Sequence, residues 1–83
     1  MSAPIKKRVY LTYPAAMVRE PLVCRMYDEL GVQFNLRTAS VTDEIGIIGL
    51  ELIGPPDDVE RAVVFFREHG VRVEPIALDV IAG

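Results

Sequence analysis

Apolar and polar positions alternate along residues 5–13, IKKRVYLTY: Val9, Leu11 and Tyr13 fall on one side, Arg8, Tyr10 and Thr12 on the other. That is the period of a half-buried strand. After the Pro14-Ala15-Ala16 punctuation the period changes. In EPLVCRMYDELG, Leu22, Val23, Met26, Tyr27 and Leu30 recur at helical spacing, Pro21 stands where a first turn tolerates it, and Gly31 stands where a left-handed stop is wanted. Alternation returns in VQFNLRTASV, residues 32–41, with Val32, Phe34 and Leu36 opposite Gln33, Asn35 and Arg37. A third strand is predicted over IGIIGLELI, residues 45–53, carrying Ile48, Leu50 and Leu52 on one face, and it forms a hairpin with the second. Gly54-Pro55-Pro56 breaks the chain. A second helix follows, with Asp57, Asp58 and Glu60 in its first turn, an apolar stripe of Val59, Ala62, Val63 and Phe66, and His69-Gly70 at its close. The short strand VRVEPI comes last, and the tail over residues 77–83 is apolar without a clear period.

The order β-α-β-β-α-β predicts an α+β fold of the ferredoxin-like kind: a four-stranded antiparallel sheet, strands one and three central, with both helices on one face. The helix-covered face is expected to carry Val9, Leu11, Phe34, Leu36, Leu50, Leu52, Val71 and Val73. The opposite face is left with Arg8, Tyr10, Thr12, Gln33, Asn35, Arg37, Ile47, Glu51, Arg72 and Glu74. An antiparallel sheet tolerates one wet face, so these residues read either as a solvated surface or as a recognition surface.

Composition narrows the function classes. A chain of 83 residues, 51% hydrophobic, supports a single domain over residues 1–83, and its small core gains from surface buried on association. The net charge of -3 and pI near 5.0 argue against nucleic-acid binding, which rests on clustered Lys and Arg. One aromatic, Tyr10, between Arg8 and Arg37 is too little for the stacking platform of an RNA-binding sheet. No apolar run is long enough to span a bilayer, so no membrane insertion is expected, and a cytoplasmic location is. A single Cys permits neither an internal disulfide nor a structural metal site.

The inventory for catalysis is thin. Cys24, within the first helix, reads as a buried small apolar residue, and His69 as a helix C-terminal residue favourable there when charged. They do not form a nucleophile–base pair, and the chain is read as non-enzymatic, with no catalytic residue and no cofactor. Asp57, Asp58 and Glu60 lack calcium-loop spacing and read as complements to the helix dipole, so no metal site is assigned. Met17 and Met26 read as core filling before they read as a thioether pocket.

Together YLTYP, VREPLVCRMYDELGVQFNL and GLELIGPPDDVERAVVFFREHGVRVE resemble the NIL domain, a small module appended to the ATPase subunit of methionine uptake transporters and fused to some ferredoxins. The likeness runs from about residue 7 to residue 76. Its signature pieces here are Arg19-Glu20-Pro21 before the first helix, Asn35-Leu36-Arg37 in place of Asn-Ile-Leu, and Gly54 to Ala62 opening the second helix. Arg37 departs from the usual Leu and places a charge on the open face. Pro55 stands where the family often has a capping Asp, which leaves the carboxylates of Asp57 and Asp58 to serve the first-turn N–H groups.

The resemblance implies a regulatory role: the similar transporter domain binds L-methionine, holds its transporter inactive, and joins its sheet to that of a second copy. On that footing Tyr10, Asn35, Leu36, Arg37 and Glu51 are the candidate ligand or interface residues, with Arg37 for a carboxylate and Glu51 for an ammonium. The expected partners are a second copy, through the sheet edge or the open face, and an amino-acid ligand related to methionine. The alternatives are a protein-interaction or dimerisation module acting by strand addition, and an accessory subunit of a sulfur-transfer or iron–sulfur enzyme system.

Overall fold

The computed structural model describes residues 3–76; the apolar tail expected over 77–83 lies outside them. The chain runs β1 (Ile5–Pro14), α1 (Leu22–Leu30), β2 (Gln33–Val41), β3 (Ile45–Gly54), α2 (Pro56–Glu68) and β4 (Arg72–Pro75), with a short 3-10 turn, Ala15–Met17, after β1. The four strands form one antiparallel sheet in the order β2-β3-β1-β4, so the two central strands are those expected. The helix stops follow local chemistry. Gly31 takes φ 69, and its N–H donates to the Tyr27 carbonyl at 2.8 Å, a conformation that costs glycine little. At the start of α2 no side chain caps the helix beside Pro55, and Asp57 and Asp58 place their charge in its first turn, as the lost cap requires.

Val9, Leu11, Leu50 and Leu52 from the central strands meet Leu22 and Met26 of α1 and Val59, Ala62, Val63 and Phe66 of α2 in one core. Met26 is fully buried there and Met17 packs against it, so both methionines fill the core. Two sequence expectations fail. Cys24 is exposed on the first turn of α1, two residues from both Leu22 and Met26 and so on the opposite face of the helix from that buried stripe. Leu36 pairs with Leu50 and so does point to the helix side, yet it is 58% exposed. The reason is coverage: α2 lies over β1, β3 and β4, while β2 extends past both helices as an edge, where only Phe34 is half covered, edge-on to Tyr27 at 6.3 Å.

The alternation of β2 breaks at Arg37. Leu36 faces Leu50, Thr38 faces Gly49, and Arg37 is the extra residue of a β-bulge between them. Beyond it the parity inverts: Thr38 and Ser40 join the open face, while Ala39 and Val41 turn to the helix side. The hairpin is closed by Thr42, whose Oγ1 accepts from the Glu44 and Ile45 amides at 3.2 Å each.

Candidate functional site

The register arranges the open face in rows. One row reads Asn35, Glu51, Arg8, the next Thr38, Gly49, Tyr10, and the third Ser40, Ile47, Thr12. In the first row the structure brings together an ion cluster that sequence reasoning only partly foresaw. Arg8 Nε donates to Glu51 Oε2 at 3.2 Å, and Asn35 Nδ2 donates to Glu51 Oε1 at 3.2 Å. Both carboxylate oxygens are engaged, and Glu51 is only 6% exposed although it stands on the face away from the helices. The Asn35 amide first, and the Arg8 guanidinium after it, hold the Glu51 carboxyl below the usual glutamate range. Glu51 thus orients Asn35 and Arg8, and Asn35 Oδ1 has no hydrogen-bond partner among the described residues. Arg8 was read only as an open-face residue. Its partnership was legible once β1 and β3 were aligned, since it puts opposite charges directly across from each other.

Because the folded value of Glu51 is depressed, its contribution to stability is complete above the unfolded-state value near 4.5 and is lost as pH falls through the lower folded value. Glu51→Gln is therefore expected to flatten the acid limb of the stability curve, read by urea denaturation at a series of pH values. An unchanged slope as pH falls below about 4.5 would contradict the linkage.

The second row contains a dip. Gly49 has no side chain, and around it Arg8, Tyr10, Arg37, Thr38, Leu50 and Ile76 enclose a concavity of about 160 Å³. Arg37 borders it from the bulge, and among the described residues no carboxylate lies within ion-pair distance of its guanidinium. Tyr10 forms the other wall and is 43% exposed. A Cβ at Gly49 would sit 2.5 Å from the Thr38 methyl and 3.2 Å from the Tyr10 ring. Thr38 is β-branched and stiff, so Gly49→Ala is expected to cost about 1–2 kcal/mol, read as a lower urea midpoint, and to fill the dip. A neutral result would mean that the two side chains rotate away freely.

Of the five candidate residues, Tyr10 and Arg37 thus share the concavity, Asn35 and Glu51 lie bonded to each other in the adjacent row, and Leu36 points to the other side of the sheet. His69 is spent elsewhere: its Nδ1–H donates to the Phe65 carbonyl at 2.8 Å, and its ring lies 4.4 Å from that of Phe65. Among the described residues no group of three His, Cys, Asp or Glu side chains is placed to hold a metal ion. No helix among them is long and apolar enough to cross a membrane.

An antiparallel βαββαβ sheet with two helices on one side and a charged opposite face defines a small α+β domain of the ferredoxin-like kind. The family model of the NIL domain matches residues 7–75, and the chain belongs to that family. The methionine import ATP-binding protein MetN of Chromohalobacter salexigens is 33% identical over 70 residues, which cover 80% of this chain and 20% of that protein. The chain thus corresponds to about a fifth of that relative's length. The crystal structure of the C-terminal domain of an ABC transporter ATP-binding protein from Enterococcus faecalis superposes with a TM-score of 0.75 at 18% identity, covering 87% of this chain and 84% of that one, and shows the shared fold.

Proposed function

We propose that this chain is a non-catalytic regulatory domain that senses a small amino-acid ligand, methionine or a related sulfur amino acid, on the open face of its sheet. The observation that carries the reading is the Arg37 guanidinium on the β2 bulge, without an ion-pair partner among the described residues, beside a concavity formed where Gly49 leaves room between Tyr10 and Thr38. Arginine takes a carboxylate through two parallel N–H donors, and Tyr10 offers an apolar wall for a side chain. Glu51, expected to take the ammonium, is occupied by Asn35 and Arg8, so that task passes to Asn35 Oδ1. The likeness to MetN, a methionine import ATP-binding protein, motivates the choice of ligand class. The site is expected to work in the cytoplasm.

The test is a thermal-shift screen of methionine, homocysteine and S-adenosylmethionine. A ligand present at 100 times its Kd adds about 2.7 kcal/mol, a rise of several degrees in a domain of this size. No shift with any of the three would overturn the reading.

A second reading has its own observation. Among the described residues the outer edge of β2 is unpaired, and Leu36 and Val41, both more than half exposed, follow it on the helix side. Strand addition by a second copy would satisfy that edge and cover both side chains. Light scattering on the eluting peak at micromolar concentration would then report a dimer, and a monomer would exclude self-pairing.

A further inference from the structure

The apolar run of α2 is wider than the sheet requires. Ala62, Val63, Val64, Phe65 and Phe66 are consecutive, so at about 100° per residue they go right round the helix, whereas a helix lying on one layer needs an apolar stripe on one side only. Val59, Ala62, Val63 and Phe66 enter the core, and Val64 is left 41% exposed. It stands in a groove of about 440 Å³ between α2 and the end of α1, on the helix side of the sheet and away from the open-face concavity. Leu30, Val64 and Phe65 give this groove an apolar floor. Its volume falls among those of binding sites, roughly 300–1,000 Å³. The α2 positions that line it run from 57 to 68 at steps of three and four, one continuous stripe of about 16 Å. An open trough of that length fits a piece of chain better than a compact small molecule.

The rim has a sign. Asp57, Glu60 and Glu68 stand along it against Arg61, and among the described residues none of the four lies within ion-pair distance of an opposite charge. Three carboxylates against one guanidinium leave the trough negative. Asp57 complements the dipole of α2, but Glu68 is the last residue of that helix, at the negative end where a carboxylate is unfavourable. The fold therefore does not account for Glu68, and a cation seated in the groove does. An apolar floor between negative walls is complementary to a segment that carries an apolar stripe flanked by Lys or Arg. A helix suits it better than a strand. The backbone groups of α2 are spent within the helix, so an extended chain would find no ladder to join, whereas a helix arrives with its own backbone satisfied.

We propose that this groove is a docking site for a basic amphipathic helix of a partner protein, its apolar side chains over Leu30, Val64 and Phe65 and its Lys or Arg side chains against Glu60 and Glu68. The site lies on the other side of the sheet from the open-face concavity and stands without it.

The experiment is amide-resolved NMR titration of the intact chain with two synthetic helical peptides. Both carry leucine at i, i+3, i+4 and i+7, and the remaining positions are lysine in one and glutamate in the other. Saturable shifts at the Leu30, Val64, Phe65 and Glu68 amides are expected with the lysine peptide alone, weakening as salt is raised. Val64→Lys changes an exposed helical position, so the melting curve is expected to persist while binding falls about tenfold or more. Replacing both Glu60 and Glu68 with glutamine is expected to weaken binding about tenfold and to flatten its salt dependence. Arg37→Leu is expected to leave these shifts unchanged, so a failure of the open-face reading does not touch this one. Equal shifts with the glutamate peptide, shifts centred away from the groove, no saturable shift at millimolar peptide, or binding indifferent to Val64→Lys would overturn the proposal. Shifts at the same amides on concentrating the chain alone would give the groove to a second copy, and on adding phosphatidylglycerol vesicles to a membrane, and either result would overturn the assignment to a partner helix.

Discussion

Replacing Phe66 with alanine is expected to remove about 3–5 kcal/mol of stability, the largest effect of any single truncation in this chain. Phe66 is fully buried on the inner face of α2 and meets Phe65 edge-on at 5.6 Å, while α2 as a whole lies across β1, β3 and β4. Removing the ring forfeits its transfer from water and leaves a void, because its neighbours Val59, Ala62 and Val63 stand on the same helix and close in only partly. A domain of 83 residues has a total stability of roughly 4–12 kcal/mol, so the loss is a large fraction of it. The melting temperature is expected to fall by well over 10 °C. Val64→Ala is the control: it stands on the same helix but is 41% exposed, and it should cost well under 1 kcal/mol. Equal losses in the two variants would mean that α2 does not lie on the sheet as described.

Exchanging Arg37 for leucine is expected to weaken carboxylate binding by about ten- to a hundredfold while leaving the fold's stability within about 0.5 kcal/mol of the parent. The first figure follows from losing hydrogen bonds between two charged partners, the second from the exposure of Arg37 on an edge strand. Calorimetric titration with methionine, alongside the melting curve, checks both. The same variant separates two tasks a charge performs at that place. A charge on an edge strand also discourages indiscriminate sheet pairing. If guarding the edge is its whole task, light scattering will show higher oligomers for Arg37→Leu with ligand binding unchanged, and the open-face assignment fails.

Much of the architecture was legible because periodicity and punctuation are local. Val9 and Leu11 against Tyr10 and Thr12, the 3.6-residue stripe of α2, and Gly31 as a left-handed stop each follow from backbone geometry within a few residues. The hairpin of β2 and β3 and the central place of β1 and β3 followed from the order of elements and the handedness of crossovers. The candidate site was legible only in part. Tyr10 and Arg37 do share a concavity, but the bulge that places Arg37 there has no signature in VQFNLRTASV, since an inserted residue is visible only against the strand it pairs with.

The division between sequence and tertiary structure follows from the range of the forces involved. Alternation, helical stripes, turn residues and the motif pieces from Arg19 to Ala62 determined the order of elements, the side of the sheet each apolar residue seeks, and the family. How far each residue reaches that environment was decided in three dimensions. Leu36 has the right parity and remains exposed because helix cover on β2 reaches only Phe34, and Cys24 lies on the face of α1 opposite its buried stripe. Glu51 is on the open face and yet buried, because the register sets Arg8 and Asn35 on either side of it. Tyr13, a core position by its period, lines a hollow bounded by four separate elements. Burial, pairing and cavities depend on residues tens of positions apart, and only the packed sheet brings those together.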